Sequence, residues 1–122
     1  MGSKILVEAI KQAWDDKTCY PVVRAFWTPD KPELGQCAVT ALVVQDKLGG
    51  EILYNSKFDH YWNVLPNGSK LDLTRKQFDT KVAGPAIPVK REEILETEGA
   101  KKFKTGHRYK LLKKRVELSL VH

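Results

Sequence analysis

Three side chains of this sequence are of the types that together attack a carbonyl carbon. Cys37 stands at the head of the apolar run CAVTALVV, and His60 and Asp72 follow it along the chain. An imidazole can keep a thiol ionised and pass its proton to a leaving group, while a carboxylate at the other ring nitrogen fixes the tautomer. The residue types therefore predict a Cys37–His60–Asp72 catalytic site.

The segment that carries the cysteine predicts a central, buried helix. From Cys37 to Leu48 the pattern is apolar nearly all round, which is typical of a helix covered on most sides. Gly49 and Gly50 end it, because glycine tolerates the left-handed conformation that follows a helix. Cys37 then lies at the helix N-terminus, where unpaired N–H groups and the helix dipole favour a thiolate.

A turn downstream decides whether the histidine and the aspartate can meet. The sequence LPNGS suits a three-residue hairpin loop with a glycine bulge, in which Leu65 faces Ser69. Counting outward places Trp62 opposite Asp72, and His60 is then the diagonal neighbour of Asp72, about 7–8 Å away at the backbone. A two-residue loop would instead put Asp72 on the opposite face of the sheet. We expect the three-residue loop.

The remaining pattern predicts an α+β fold with helices packed on a small antiparallel sheet. A first helix follows Ser3, and a proline-punctuated loop leads to the central helix. Strands are expected at 51–55, 60–65 and 70–73, and a loop or edge strand at 80–90. Short helices are expected after a Thr74–Gln77 capping box and at 91–98. A last helix is expected to be capped by Thr105, with an inner face formed by Tyr109, Leu112 and Val116.

Composition predicts one domain over residues 1–122, with no cofactor. No apolar run approaches the about 20 residues of a membrane span, and the N-terminus lacks a secretion signal, so a cytoplasmic monomer is expected. Two cysteines are too few for a thiolate zinc site, and His60, His107 and His122 lack ligand spacing, so no metal is expected. Cys19 is interpreted as structural.

These motifs resemble known proteins. GQCAVTALVV, HYWN and GSKLDLT are similar to the segments of the transglutaminases that carry their cysteine, histidine and aspartate. That resemblance implies a papain-like, transglutaminase-like core, with Cys37 as nucleophile, His60 as general base and acid, and Asp72 as the orienting carboxylate. The whole chain also resembles the small bacterial proteins called YunG-like, through GQC, GGEIL, HYWN and DLT.

The resemblance implies a cysteine hydrolase or acyltransferase. Its substrate would be a peptide or a small acyl compound with an amide, ester or thioester carbonyl, so a peptidase, a deamidase and an acyltransferase all stay open. The backbone N–H of Cys37 is the first candidate donor to the oxyanion, while Gln36 and the Trp27 indole are further candidates around the cleft. Trp62 is either core or a cleft wall. A papain-like binding module without turnover is the alternative.

Charge suggests a second kind of partner. The chain carries 21 basic against 15 acidic residues, a net charge of +6, with the excess late in the sequence. Basic side chains around aromatic residues can follow a phosphate backbone, although a solvated helix face is the favoured interpretation. The candidate nucleic-acid contacts are Lys101, Lys102, Lys104, Arg108, Lys110, Lys113, Lys114 and Arg115.

Overall fold

The computed structural model describes residues 3–82 and 84–121 and shows an α+β fold. Within these residues, five α-helices, four strands and two short 3-10 helices follow one another. The helices are α1 (Ser3–Ala13), α2 (Cys37–Leu48), α3 (Arg91–Leu95), α4 (Glu98–Lys102) and α5 (Thr105–Leu120). The strands are β1 (Glu51–Asn55), β2 (His60–Val64), β3 (Lys70–Leu71) and β4 (Ile87–Val89), and the 3-10 helices are Pro21–Phe26 and Arg75–Gln77.

The strands form one antiparallel sheet in the order β3-β2-β1-β4. β2 therefore lies inside the sheet, where β1 pairs with its whole length and β3 pairs with Asn63 and Val64. β4 pairs with β1 at the outer edge, so the expectation of an edge strand within 80–90 is confirmed. The expectation of a small antiparallel sheet with helices packed on it is confirmed as well.

Helix α2 is the centre of the hydrophobic core. Its six consecutive residues from Val39 to Val44 are all buried. Because six consecutive positions point in every direction around a helix, α2 is covered on every side there. β1 and β2 cover one side, α5 covers another, and α1 packs against α5. Asn63 of β2 donates from Nδ2 to the Ala41 carbonyl at 3.0 Å. This bond ties β2 to the helix that begins with Cys37.

The turn between β2 and β3 has the predicted geometry. Leu65 N donates to the Ser69 carbonyl at 2.8 Å, and Gly68 N donates to the Leu65 carbonyl at 2.8 Å. The register pairs Val64 with Lys70, which continues outward to Trp62 opposite Asp72. The three-residue loop is therefore confirmed. β3 ends at Leu71, so Asp72 lies just beyond the strand rather than inside it.

Helix α5 packs its predicted face inward. Tyr109, Leu112 and Val116 are buried, as the spacing predicts. Thr105 is the first residue of the helix rather than its cap, and the preceding Lys104 adopts a left-handed conformation with φ 56°. The helix has 16 residues, and within the described ranges no helix combines the length and apolarity that crossing a membrane needs.

Two further local predictions are wrong. Thr74 does precede a short helix, but its side chain makes no capping hydrogen bond, and that helix is a single 3-10 turn. Gln77 does not complete a capping box because its amide is used elsewhere, next to His60. The helix predicted for 91–98 is divided into α3 and α4. The division occurs where the Thr97 hydroxyl accepts a hydrogen bond from Ala100 N and begins a new helix.

Candidate active site

The buried centre of the site is a hydrogen bond between His60 and Asp72. His60 Nε2 lies 2.7 Å from Asp72 Oδ2, and the two side chains are 0% and 6% exposed. His60 is the first residue of β2, and Asp72 follows β3, so the hairpin register alone brings them together. Away from water, this bond fixes both the tautomer and the orientation of the ring.

Aromatic packing restrains the same imidazole. The Trp62 ring lies nearly parallel to it, with centroids 5.5 Å apart and an angle of 30°, and the Phe78 ring meets it edge-on at 4.8 Å and 82°. Trp62 is buried beside the ring rather than lining the cavity at Cys37. Between the two open interpretations of Trp62, the structure favours a core residue that supports His60.

Cys37 lies close enough to His60 to influence its charge. It is the first residue of α2 and is partly exposed, and its sulfur is one of the groups that raise the pKa of His60. Asp72 occupies Nε2 of the ring, and Gln77 Nε2 faces Nδ1 at 3.5 Å. The thiol also lies 3.9 Å from the Asp59 carbonyl oxygen. The structure thus places Cys37 near the hydrogen-bonded pair of His60 and Asp72.

The charge state of His60 follows from these neighbours. Burial disfavours the charged ring, but the hydrogen bond with Asp72, the nearby Cys37 sulfur and the charges of both groups outweigh it and raise the pKa of His60 to about 9. The ring is therefore mainly an imidazolium at neutral pH. A protonated ring of this kind can donate a proton to a leaving group.

Gln77 belongs to the site, although the sequence suggested another role for it. Its Oε1 accepts a hydrogen bond from Gly35 N at 3.1 Å, and this fixes the amide orientation so that Nε2 faces His60 Nδ1 at 3.5 Å. Gln77 also lines the cavity at Cys37. Its position five residues after Asp72 is the only sequence signal for it, and that signal is easily mistaken for a cap.

Two predicted donors are turned away from the thiol. Gln36 is fully buried, and its Nε2 donates to the Asp15 carbonyl at 3.0 Å, which anchors the start of α2 to the segment after α1. The Trp27 indole donates to the Pro32 carbonyl at 3.0 Å. Neither residue lines the cavity at Cys37. The expectation that Gln36 or Trp27 donates to an oxyanion is corrected here, because backbone carbonyls occupy both donors.

A cavity of about 420 Å³ opens beside the thiol. Such a volume is in the range of small-molecule sites. Its walls come from the 3-10 helix at 21–26, from the loop between β1 and β2, and from α3, α4 and α5. The residues that carry polar groups into it include Tyr20, Asp59, Tyr61, Gln77, Glu93 and Arg108. Cys37 therefore borders a space of small-molecule size.

The basic C-terminal residues do not form one continuous face. Arg108 is 3% exposed, so its assignment to a nucleic-acid contact is wrong: its aliphatic and guanidinium parts are enclosed by the fold. Lys113 pairs with Asp46 at 3.3 Å, and Arg115 pairs with Asp15 at 2.9 Å. The exposed members are Lys101, Lys102, Lys104, Lys110 and Lys114. For these five lysines a nucleic-acid contact stays a prediction.

Comparison with known proteins identifies the family. The model of the family described as "YunG protein" matches residues 3–121, almost the whole chain. The chain belongs to the YunG family. It is 38% identical over 87 residues to the uncharacterized protein YunG of Bacillus subtilis (strain 168), a match that covers 69% of this chain and 70% of that relative. No solved structure matches this YunG-family chain.

The raised pKa of His60 predicts a pH-dependent stability. A folded pKa of about 9, above the ordinary value of about 6.5, adds stability that is fully present below pH 6.5 and is lost as pH rises through 9. The shift corresponds to about 3 kcal/mol at most.

We expect the free energy of unfolding, from urea titrations at pH 6 and pH 9.5, to fall more in the wild type than in Asp72→Asn. The asparagine keeps the shape and an acceptor but removes the charge. An equal fall in both proteins would contradict the assignment of the shift to Asp72.

Proposed function

We propose that this YunG-family chain is a thiol enzyme that attacks the carbonyl carbon of an amide, ester or thioester. One observation carries the proposal: a buried imidazole is bonded to a buried carboxylate, and the thiol of Cys37 lies close enough to the ring to raise its pKa. The thiol lies at a helix N-terminus and lines a cavity. A histidine with a purely structural role needs no contact with an accessible sulfur.

The proposed reaction runs through an acyl-enzyme. The Cys37 thiolate adds to the carbonyl carbon, and the resulting C–S bond forms as the negative charge moves to the carbonyl oxygen. When that charge returns, the bond to the leaving amine, alcohol or thiol breaks, and His60 donates its proton to the departing atom. Water or an amine then attacks the thioester carbon while neutral His60 accepts its proton, and the C–S bond breaks to release the acyl product and the Cys37 thiolate. Asp72 keeps the ring in place throughout.

Donors to the oxyanion are part of the proposal. The backbone N–H of Cys37 belongs to the first turn of α2, where N–H groups have no acceptor within the helix. Gln77 Nε2, which faces His60 Nδ1 from the cavity side, is the proposed second donor in place of Gln36 and Trp27. Preorganised donors of this kind stabilise the charge that develops on the carbonyl oxygen.

The proposal includes a papain-like, transglutaminase-like core. Its support is the arrangement of a buried helix that begins with the cysteine and packs on an antiparallel sheet whose successive strands lead to the histidine and the aspartate. The order of the three residues along the chain agrees with the resemblance of their motifs to the transglutaminases. The fold alone would not establish turnover, because folds are reused without their chemistry.

An activated ester tests the acyl-enzyme directly. With p-nitrophenyl acetate at pH 7.5, we expect a burst of p-nitrophenolate and one acetyl group on Cys37 by peptide mass spectrometry. Cys37→Ser should lower the burst rate by at least about a thousandfold, as loss of a nucleophile does, while Cys19→Ser leaves it unchanged. If the acetyl group appears on lysines alone, the chain is a binding module with an inert thiol.

A further inference from the structure

A buried guanidinium forms part of the cavity wall. Arg108 of α5 is 3% exposed and lines the same cavity as Cys37. Its nitrogen atoms donate to three uncharged acceptors: Nε to the Phe103 carbonyl at 3.1 Å, one terminal nitrogen to the Thr18 carbonyl at 3.2 Å, and the other to Thr105 Oγ1 at 3.3 Å. These contacts hold the group rigidly without neutralising it.

The positive charge of Arg108 lacks a carboxylate partner among residues 3–82 and 84–121, where none of the ion pairs includes it. Buried charges in proteins are ordinarily paired, because removing an ion from water is costly. Burial lowers the pKa of Arg108, so the charged guanidinium is held at a cost. A guanidinium has more N–H donors than these three acceptors can occupy, so N–H groups of Arg108 remain for a ligand.

The carboxylates of the cavity lie at its rim. Asp59 and Glu93 are both exposed, and Asp59 Oδ1 accepts a hydrogen bond from the Tyr54 hydroxyl at 2.7 Å. The guanidinium is instead enclosed, with the Tyr20 ring centroid 5.8 Å from it. The cavity therefore places its positive charge at depth and its negative charges near solvent.

We propose that the acyl substrate of Cys37 carries a free carboxylate, which the remaining N–H groups of Arg108 bind inside the cavity. This inference rests on the proposed function and names its substrate class: a small carboxylate-bearing amide, ester or thioester. Guanidinium groups bind carboxylates through paired, charge-assisted hydrogen bonds. The Tyr20 ring and the edge-on Phe103 ring, 5.0 Å away, form an aromatic wall for the carbon chain between carboxylate and carbonyl.

Protection of the thiol by unreactive probes tests the inference. Hexanoate and hexanamide have the same chain and differ in the charged end group. With the wild-type protein, we expect hexanoate to slow iodoacetamide alkylation of Cys37 at concentrations at least about tenfold lower than hexanamide, as a charge-assisted bond implies. Equal protection by the two compounds would overturn the inference.

Variants on one helix assign the effect to a residue. Arg108→Gln should remove the difference between hexanoate and hexanamide, and Arg108→Lys should keep part of it. Arg115→Gln is the matched control, since Arg115 also lies on α5 and bonds a backbone carbonyl, that of Ala13, but does not line the cavity. An unchanged preference in a folded Arg108→Gln would overturn the inference. If that variant does not fold, two other variants replace it. A full hexanoate preference in Arg108→Met would overturn the inference, and so would complete loss of the preference in Arg108→Lys.

The two proposals fail in different ways. If Cys37 forms no acetyl-enzyme, the proposed thiol chemistry is wrong whatever the probes do. If Cys37 is acetylated but hexanoate protects no better than hexanamide, the thiol chemistry stands and the carboxylate substrate is excluded.

Discussion

Iodoacetamide at pH 7 is expected to alkylate Cys37 at least about a hundredfold faster than Cys19, as measured by peptide mass spectrometry over time. Cys19 is fully buried, and burial raises the pKa of its thiol to about 11, so very little thiolate is present there. Cys37 is partly exposed at the cavity and has an imidazolium beside it. The chain thus contains its own reference thiol.

Removal of the His60 imidazole tests whether the fast alkylation of Cys37 depends on that ring. His60→Ala is expected to slow alkylation of Cys37 at pH 6 by about tenfold or more, because the positive charge that stabilises the thiolate is lost. His107→Ala is the matched control, since His107 is exposed on α5. Equal and slow labelling of both cysteines, or an unchanged Cys37 rate in folded His60→Ala, would contradict the proposed ion pair.

Replacement of Gly50 by alanine is expected to destabilise the protein by about 4 kcal/mol or more, a loss that only a few kinds of substitution produce. Gly50 follows α2 with φ 84°, a conformation that L side chains rarely adopt. An added Cβ would lie 2.2 Å from the Val64 carbonyl oxygen and 3.0 Å from Leu65 Cα. Both atoms belong to backbone, so β2 itself would have to move.

Gly68 provides a control with the same backbone strain. Its φ is 86°, but a Cβ there meets no atom within 4 Å. Gly68→Ala is therefore expected to cost only the conformational strain, about 1–2 kcal/mol. Urea unfolding of both variants measures the difference, and a wholly unfolded Gly50→Ala beside a folded Gly68→Ala is the stronger form of the same result. Equal losses would mean that the close approach at Val64 is relieved without cost.

The sequence was sufficient for the elements that local rules determine. All-round apolarity predicts α2 between Cys37 and Leu48, and turn chemistry predicts the register that brings Asp72 to His60. Both signals depend on residues close together in the chain, so they can be read without knowing the rest of the fold. The α+β class follows from the same signals, since short strands and helices must share one core.

The parts that escaped prediction depend on contacts between distant segments. Gln77 has the spacing of a helix cap, but Gly35, far earlier in the chain, supplies the N–H that holds its amide beside His60. Arg108 lies in a basic run that predicts a solvated face, yet the Thr18 carbonyl and its neighbours enclose it. Neither partner is visible from composition or spacing, because the folded chain alone brings them together.

The hairpin at Leu65–Ser69 carries a consequence for how the protein can vary. Exposed loops usually accept insertions and deletions with little effect, and residues 66–69 are exposed. Here the number of residues in the loop decides which face of the sheet each side chain of the following strand occupies. The length of the loop is therefore fixed although its residues are exposed: a single-residue indel there would disconnect the carboxylate from the imidazole.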